Sequence, residues 1–263
     1  MNSKHLNLLA LIAVLTIQNG YAGQSLKKQP HNVANNAAIE KQQYHAALMD
    51  TAIVDDSDLT DRLLAITGDN PDLVWNADKT KLLVVTWKTN SAYNDYIKNS
   101  TQTSSNPEYA VWVTLASQVK TFCHHYLVKK PKATDDQLNL RLKQYLGLPP
   151  DPAQKYDVFV ELWVNPTDLF RPCVDPEIND STCNKEIPKS FPAVKNIPDY
   201  GVFYQNLYFN RFRAANRYPW TGIGYTYDWG NPASKIGASE FILIPDAPYQ
   251  IKQTVATRDY CSK

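Results

Sequence analysis

The chain has no His-Glu-x-x-His motif, no Gly-x-Ser-x-Gly elbow and no Walker loop, and Gly222-x-Gly224 lacks the third glycine of a dinucleotide fingerprint. Metalloprotease, α/β-hydrolase and nucleotide-dependent chemistries therefore lose their usual signatures, and no cofactor is expected. Catalysis by residues distant in sequence is untouched by these absences. Excess charge is missing as well: the formal net charge is +1, and removal of a leader containing Lys4 brings it to zero. No basic run exceeds Lys129-Lys130-x-Lys132. Electrostatics thus give no reason to expect nucleic acid or an anionic membrane as a partner. Beyond the N-terminus, no stretch is apolar enough to span a bilayer, so no integral membrane segment is expected after leader removal.

What is present begins with that leader. Lys4 and His5 open residues 1–22, Leu6 to Ile17 is almost wholly apolar, and Gly20-Tyr21-Ala22 reads as a small-x-small cleavage site. A mature chain starting near Gly23 is expected to be secreted or periplasmic. The four cysteines show no C-x-x-C spacing, and in an exported chain an even count reads as disulfides. Cys173 with Cys183 is favoured because the intervening loop is short and turn-rich, which leaves Cys123 with Cys261.

Periodicity gives an α+β class: a single mixed or mostly antiparallel sheet with packed helices. Residues 23–56 form a polar extension with one helix around Ala34 to Met49, expected to pack weakly, and residues 57–263 form one domain. Helices are expected from Asp58 to Ile66, from Leu115 to Leu127, after the capping box Thr134-Asp-Asp-Gln137, and from Tyr200 to Ala215. Strands are expected from Lys81 to Lys88, Tyr109 to Thr114, Tyr156 to Val164, Glu240 to Ile244 and Gln250 to Thr257. Residues 166–198 form a proline-rich connection that holds the smaller disulfide.

The most informative run is Arg217 to Pro232, which places five aromatics, three glycines, an arginine and a carboxylate within sixteen residues. Ile223, Tyr225 and Tyr227 alternate with Gly224, Thr226 and Asp228, as in a strand with two unlike faces. Flat rings beside polar groups suit a saccharide or another polar small molecule. Trp163, Arg171, Arg217, Trp220, Tyr225, Tyr227 and Trp229 are the candidate ligand-binding residues. Core packing explains the same aromatics without any ligand.

Glu161 lies between Phe159 and Trp163 on one face of a strand, where apolar neighbours would raise its pKa towards the range of a general acid or base. Asp228 or Glu240 is the candidate second carboxylate of a hydrolase pair. The competing expectation is a structural glutamate paired with Arg171, Arg213 or Arg217. A protein-interaction module is a third possibility, in which the aromatic strands form an exposed patch.

Two metal readings are weighed and set aside. Cys123-His124-His125 places its side chains about 100° apart along a helix, and a disulfide-bonded cysteine is no ligand. Asp175, Glu177, Asn179 and Glu186 match positions 1, 3, 5 and 12 of a calcium loop, but Asp180 stands where that loop needs glycine. No metal is expected.

Residues 140–150 (LRLKQYLGLPP), 160–173 (VELWVNPTDLFRPC) and 218–232 (YPWTGIGYTYDWGNP) resemble a group of uncharacterised exported bacterial proteins. The likeness runs from about Leu82 to the C-terminus. It implies one domain over that span and no particular activity.

Overall fold

The computed structural model describes residues 30–215 and 217–263. The expected leader, Met1 to Ala22, lies outside them. Strand β1 (Leu82–Lys88) is buried from Leu82 to Trp87, because both faces of the sheet are covered. Such a strand reads as a continuous apolar run instead of an alternation. Around it stand β2 (Val111–Leu115), β3 (Val158–Val164), β4 (Leu169–Phe170), β6 (Ile236–Leu243) and β7 (Tyr249–Ala256) in the order β4-β6-β2-β1-β3-β7. The short β5 (Tyr225–Tyr227) pairs with β6, and every pairing is antiparallel.

Helices α3 (Ala116–Lys129), α4 (Asp135–Tyr145) and α6 (Thr257–Ser262) cover one face of the sheet, packing on Leu83, Val85, Trp87 and Phe159. The other face carries Leu82, Val84, Val160 and Leu162 and is covered by α5 (Tyr200–Phe212) and by coil around Ile66, Leu73, Val194 and Ile197. Both expected disulfides are present. Cys123–Cys261 ties α3 to α6, and Cys173–Cys183 closes the proline-rich connection. In the chain-entropy account these contribute about 5 and about 3 kcal/mol respectively, the long loop more.

Helix α4 starts as its sequence dictates. The Thr134 hydroxyl accepts from the Gln137 N–H, and the Gln137 side chain accepts from the Thr134 N–H at 2.9 Å. Gly147 ends the turn that follows with φ of 67°, and a Cβ there would meet the Tyr227 backbone nitrogen at 3.4 Å. This glycine lets the end of α4 press against β5.

Three local expectations are corrected. The segment Asp58 to Ile66 is not a helix: only the turn Asp56–Asp58 forms, capped by Asp55. Tertiary partners claim its backbone instead. The N–H groups of Leu63 and Ile66 donate to Ser181 and Ile178 of the disulfide loop, and that of Leu64 to the Ser239 hydroxyl. The polar stretch after β1 holds a short helix, α2 (Asn90–Tyr96), capped by the Thr89 hydroxyl. Finally, helix α1 (Pro30–Asp50) is anchored at its C-terminal end despite its polar composition. Tyr44, Ala47 and Leu48 are buried against Trp229, and the Tyr44 hydroxyl donates to the Arg217 carbonyl at 2.7 Å.

Candidate functional site

The three candidate carboxylates have different surroundings, and the difference locates the site. Glu161 is 2 % exposed on β3. A β-bulge beside it offsets the pairing with β7, so Lys252 and Gln253 both reach it. Gln253 Nε2 donates to Oε2 at 2.7 Å, and Lys252 Nζ stands 3.0 Å away while lying over the Trp163 ring. Glu161 is thus a structural ion-pair partner, though with Lys252 and not with the arginines expected.

Asp228, also 2 % exposed, is clamped by Arg141 through two parallel bonds of 2.8 and 2.7 Å, and it accepts from the Gly230 N–H. Arg141 stacks on Phe122 with its guanidinium carbon 4.7 Å from the ring centroid. This bidentate pair ties α4 to the aromatic run and leaves the carboxylate no free edge.

Glu240 differs from both. It is 7 % exposed, its Oε1 has no hydrogen-bond partner among the described residues, and it faces a cavity of about 270 Å³. Burial pushes its carboxyl up to about 8, against the opposing pull of the nearby Arg211 charge. At neutral pH it is therefore mostly a neutral acid, able both to donate and to accept.

The floor of the cavity is the sheet: Val85 to Lys88 of β1, Trp112 to Thr114 of β2, and Glu240 of β6. Its walls are Leu146 to Leu148 after α4, Tyr156 ahead of β3, Arg211 in the last turn of α5, and Tyr218, Pro219, Trp220, Thr226 and Tyr227 from the aromatic run. Trp87 stacks on Tyr156 with centroids 4.7 Å apart. Trp220 is buried with its Nε1 unpaired among the described residues, and its ring meets Tyr204 edge to face at 5.2 Å. The Arg211 guanidinium lies over Trp112 at 5.0 Å and over Tyr218 at 5.1 Å, and desolvation pulls its pKa below the usual arginine value. Lys88, half-buried on the same wall, is lowered by the same cause.

Of the seven residues expected to bind a ligand, Trp220 and Tyr227 reach this cavity. The other five do not. Trp163 packs on the helical face beneath Lys252. Arg171 is wholly buried and holds the disulfide loop, donating to the Asp180 carboxylate at 2.6 Å and to the carbonyls of Asp180 and Thr182. Arg217 is exposed on a shallower groove that shares Tyr218 with the cavity. Tyr225 is buried with its hydroxyl on the Asp58 carbonyl, and Trp229 packs on Tyr44 and donates to the Leu148 carbonyl at 3.0 Å. Sequence reasoning missed Arg211, Lys88, Trp87, Trp112 and Tyr156 as a group. Trp87 and Trp112 lie on strands that were expected, but nothing local shows that both rings turn to one hollow.

The metal-like spacings have local uses. Cys123 lies in its disulfide, and His124 Nδ1 is 3.2 Å from the Cys261 carbonyl. The Asp175 carboxylate accepts from the Asn184 backbone and side-chain amides, and Asp180 pairs with Arg171. Asp175 also lies close to the sulfurs of Cys173 and Cys183, but those are joined to each other.

Comparison with family models, with curated proteins and with solved structures yields no match for the chain.

Proposed function

We propose that this is an exported binding protein for a small polar ligand, a saccharide or a cell-envelope component of similar size, held in the cavity around Glu240 and Trp220. The observation that carries the reading is that two buried polar atoms without partners among the described residues, Glu240 Oε1 and Trp220 Nε1, both belong to residues lining this one aromatic-lined hollow. Burying a polar group unpaired is costly, and a ligand that satisfies both groups recovers that cost on binding. Aromatic rings would stack on a sugar face while the acid and the indole N–H meet its hydroxyls. Export is supported by the two disulfides, which persist in oxidising compartments, together with the expected leader. Among the described residues no helix is long and apolar enough to cross a membrane.

A two-carboxylate hydrolase fits the geometry less well. Glu240 faces Thr114, Thr114 faces Val85, and Val85 faces Glu161, so three strand spacings of ~4.8 Å put roughly 14 Å between the two glutamates. The carboxyl pairs of glycosidases stand about 5 to 9.5 Å apart. An interaction module would carry its aromatics on an exposed patch, whereas Trp220, Tyr225 and Trp229 are buried.

The test is titration with mono- and disaccharides, followed by tryptophan emission and by thermal denaturation. Three tryptophans, Trp87, Trp112 and Trp220, line the cavity. A binding sugar should shift the emission and raise Tm, and Trp220→Phe together with Glu240→Gln should weaken both effects. A panel of sugars and envelope fragments that leaves emission and Tm unchanged refutes the proposal.

A further inference from the structure

We propose that the ligand of this cavity carries a carboxylate on its ring, as a hexuronic acid does, and that Arg211 receives it. The inference rests on the cavity being a saccharide site and goes beyond it by naming the charge.

Each of the other two arginines held inside the protein is neutralised by it. Arg141 has the bidentate Asp228 carboxylate, and Arg171 has Asp180 with three backbone carbonyls. Arg211 has neither: no ion pair among the described residues includes it, and it has no hydrogen-bond acceptor there. Its guanidinium faces are covered by Trp112 and Tyr218. Stacking of that kind leaves the N–H edge for acceptors lying in the guanidinium plane, and the planar fork matches the two oxygens of a carboxylate.

The rest of the wall has the same bias. Lys88, its pKa lowered by burial, adds a second basic group with no ion-pair partner, and among the described residues Glu240 is the only carboxylate lining the cavity. Held largely neutral by burial, Glu240 offsets little of the Arg211 charge near neutral pH, and Trp220 on the same wall carries an indole N–H that no described residue satisfies. A hollow whose stacked guanidinium has no carboxylate of its own favours an anionic ring over a neutral one. At about 270 Å³ it is sized for a single ring more than for a chain.

Glucuronate and galacturonate, their parent hexoses and the hexose 6-phosphates should be titrated against the wild-type protein by calorimetry, with cavity tryptophan emission as a second readout. A uronate should bind at least tenfold more tightly than its parent hexose and its 6-phosphate. Arg211→Met should abolish that preference and Arg211→Lys should keep part of it, near-UV circular dichroism confirming that both variants fold. If a hexose binds as tightly as its uronate, the charge assignment is wrong and the saccharide site stands. Tighter binding of a 6-phosphate likewise overturns the carboxylate. If no sugar of any charge binds, the saccharide reading fails and this inference fails with it. The wild-type comparison decides these outcomes even if a variant is unstable.

Discussion

Glu161 and Glu240 stand on one cross-strand row of the sheet, yet Glu161 is held by Lys252 and Gln253 while Glu240 Oε1 has no partner among the described residues. Exchange of each for glutamine should separate the two roles. Glu161→Gln removes a buried charged acceptor and should cost about 1 to 3 kcal/mol of stability while leaving ligand affinity unchanged. Glu240→Gln should leave stability at pH 7 equal or higher and weaken binding severalfold. Denaturant melts beside binding titrations check both, and a loss of affinity in Glu161→Gln alone would contradict this assignment.

The titration of Glu240 gives stability a slope with pH. Its carboxyl is raised from 4.5 unfolded to about 8 in the fold, so as pH rises past 4.5 the unfolded chain loses the proton and the folded one keeps it. The contribution is fully present below pH 4.5, falls by at most about 1.4 kcal/mol per pH unit, and is gone above about 8. Wild-type Tm should therefore drop between pH 5 and 8 relative to Glu240→Gln. Parallel Tm curves for the two proteins would show that the glutamate is not held neutral.

Arg171 is the hub of the disulfide loop, and its loss should be felt locally. Arg171→Met leaves Asp180, itself part-exposed, and the Thr182 carbonyl without their buried donor, a change worth about 1.5 to 3 kcal/mol. Limited proteolysis should then cut within residues 174–182 well before global unfolding. Cleavage elsewhere first would locate the weak point in another part of the fold.

The end of α1 is expected to matter more than its polar sequence implies. Tyr44→Ala removes an aromatic contact to Trp229, with ring centroids 5.6 Å apart, and a hydrogen bond to the Arg217 carbonyl. It should cost about 2 to 4 kcal/mol and red-shift the Trp229 emission as water reaches the ring. Unchanged emission would show that the helix does not shield it.

What was legible in the sequence was local. The Thr134 capping box, the apolar run of β1 and the short Cys173–Cys183 loop each depend on residues close together in the chain, and each formed as read. The helix expected from Asp58 failed because its N–H groups are taken by Ser181, Ile178 and Ser239, more than a hundred residues away. The site was half legible for the same reason. Glu240, Trp220 and Tyr227 were named, but which carboxylate stays unpaired depends on Arg141 meeting Asp228 and Lys252 meeting Glu161, and spacing carries no record of either. Arg211 was passed over in favour of Arg171 and Arg217 because partnerlessness is a property of the assembled fold.

The two disulfides are nested, Cys173–Cys183 lying inside the span closed by Cys123–Cys261. If the chain is exported as proposed, it presents Cys123 and then Cys173 to the oxidising compartment long before Cys261, so pairing in order of appearance joins the wrong thiols. Correct oxidation then requires either that α3 shelter its thiol until the last segment docks or that an isomerase reshuffle the early bond, and the yield of native protein becomes a matter of timing.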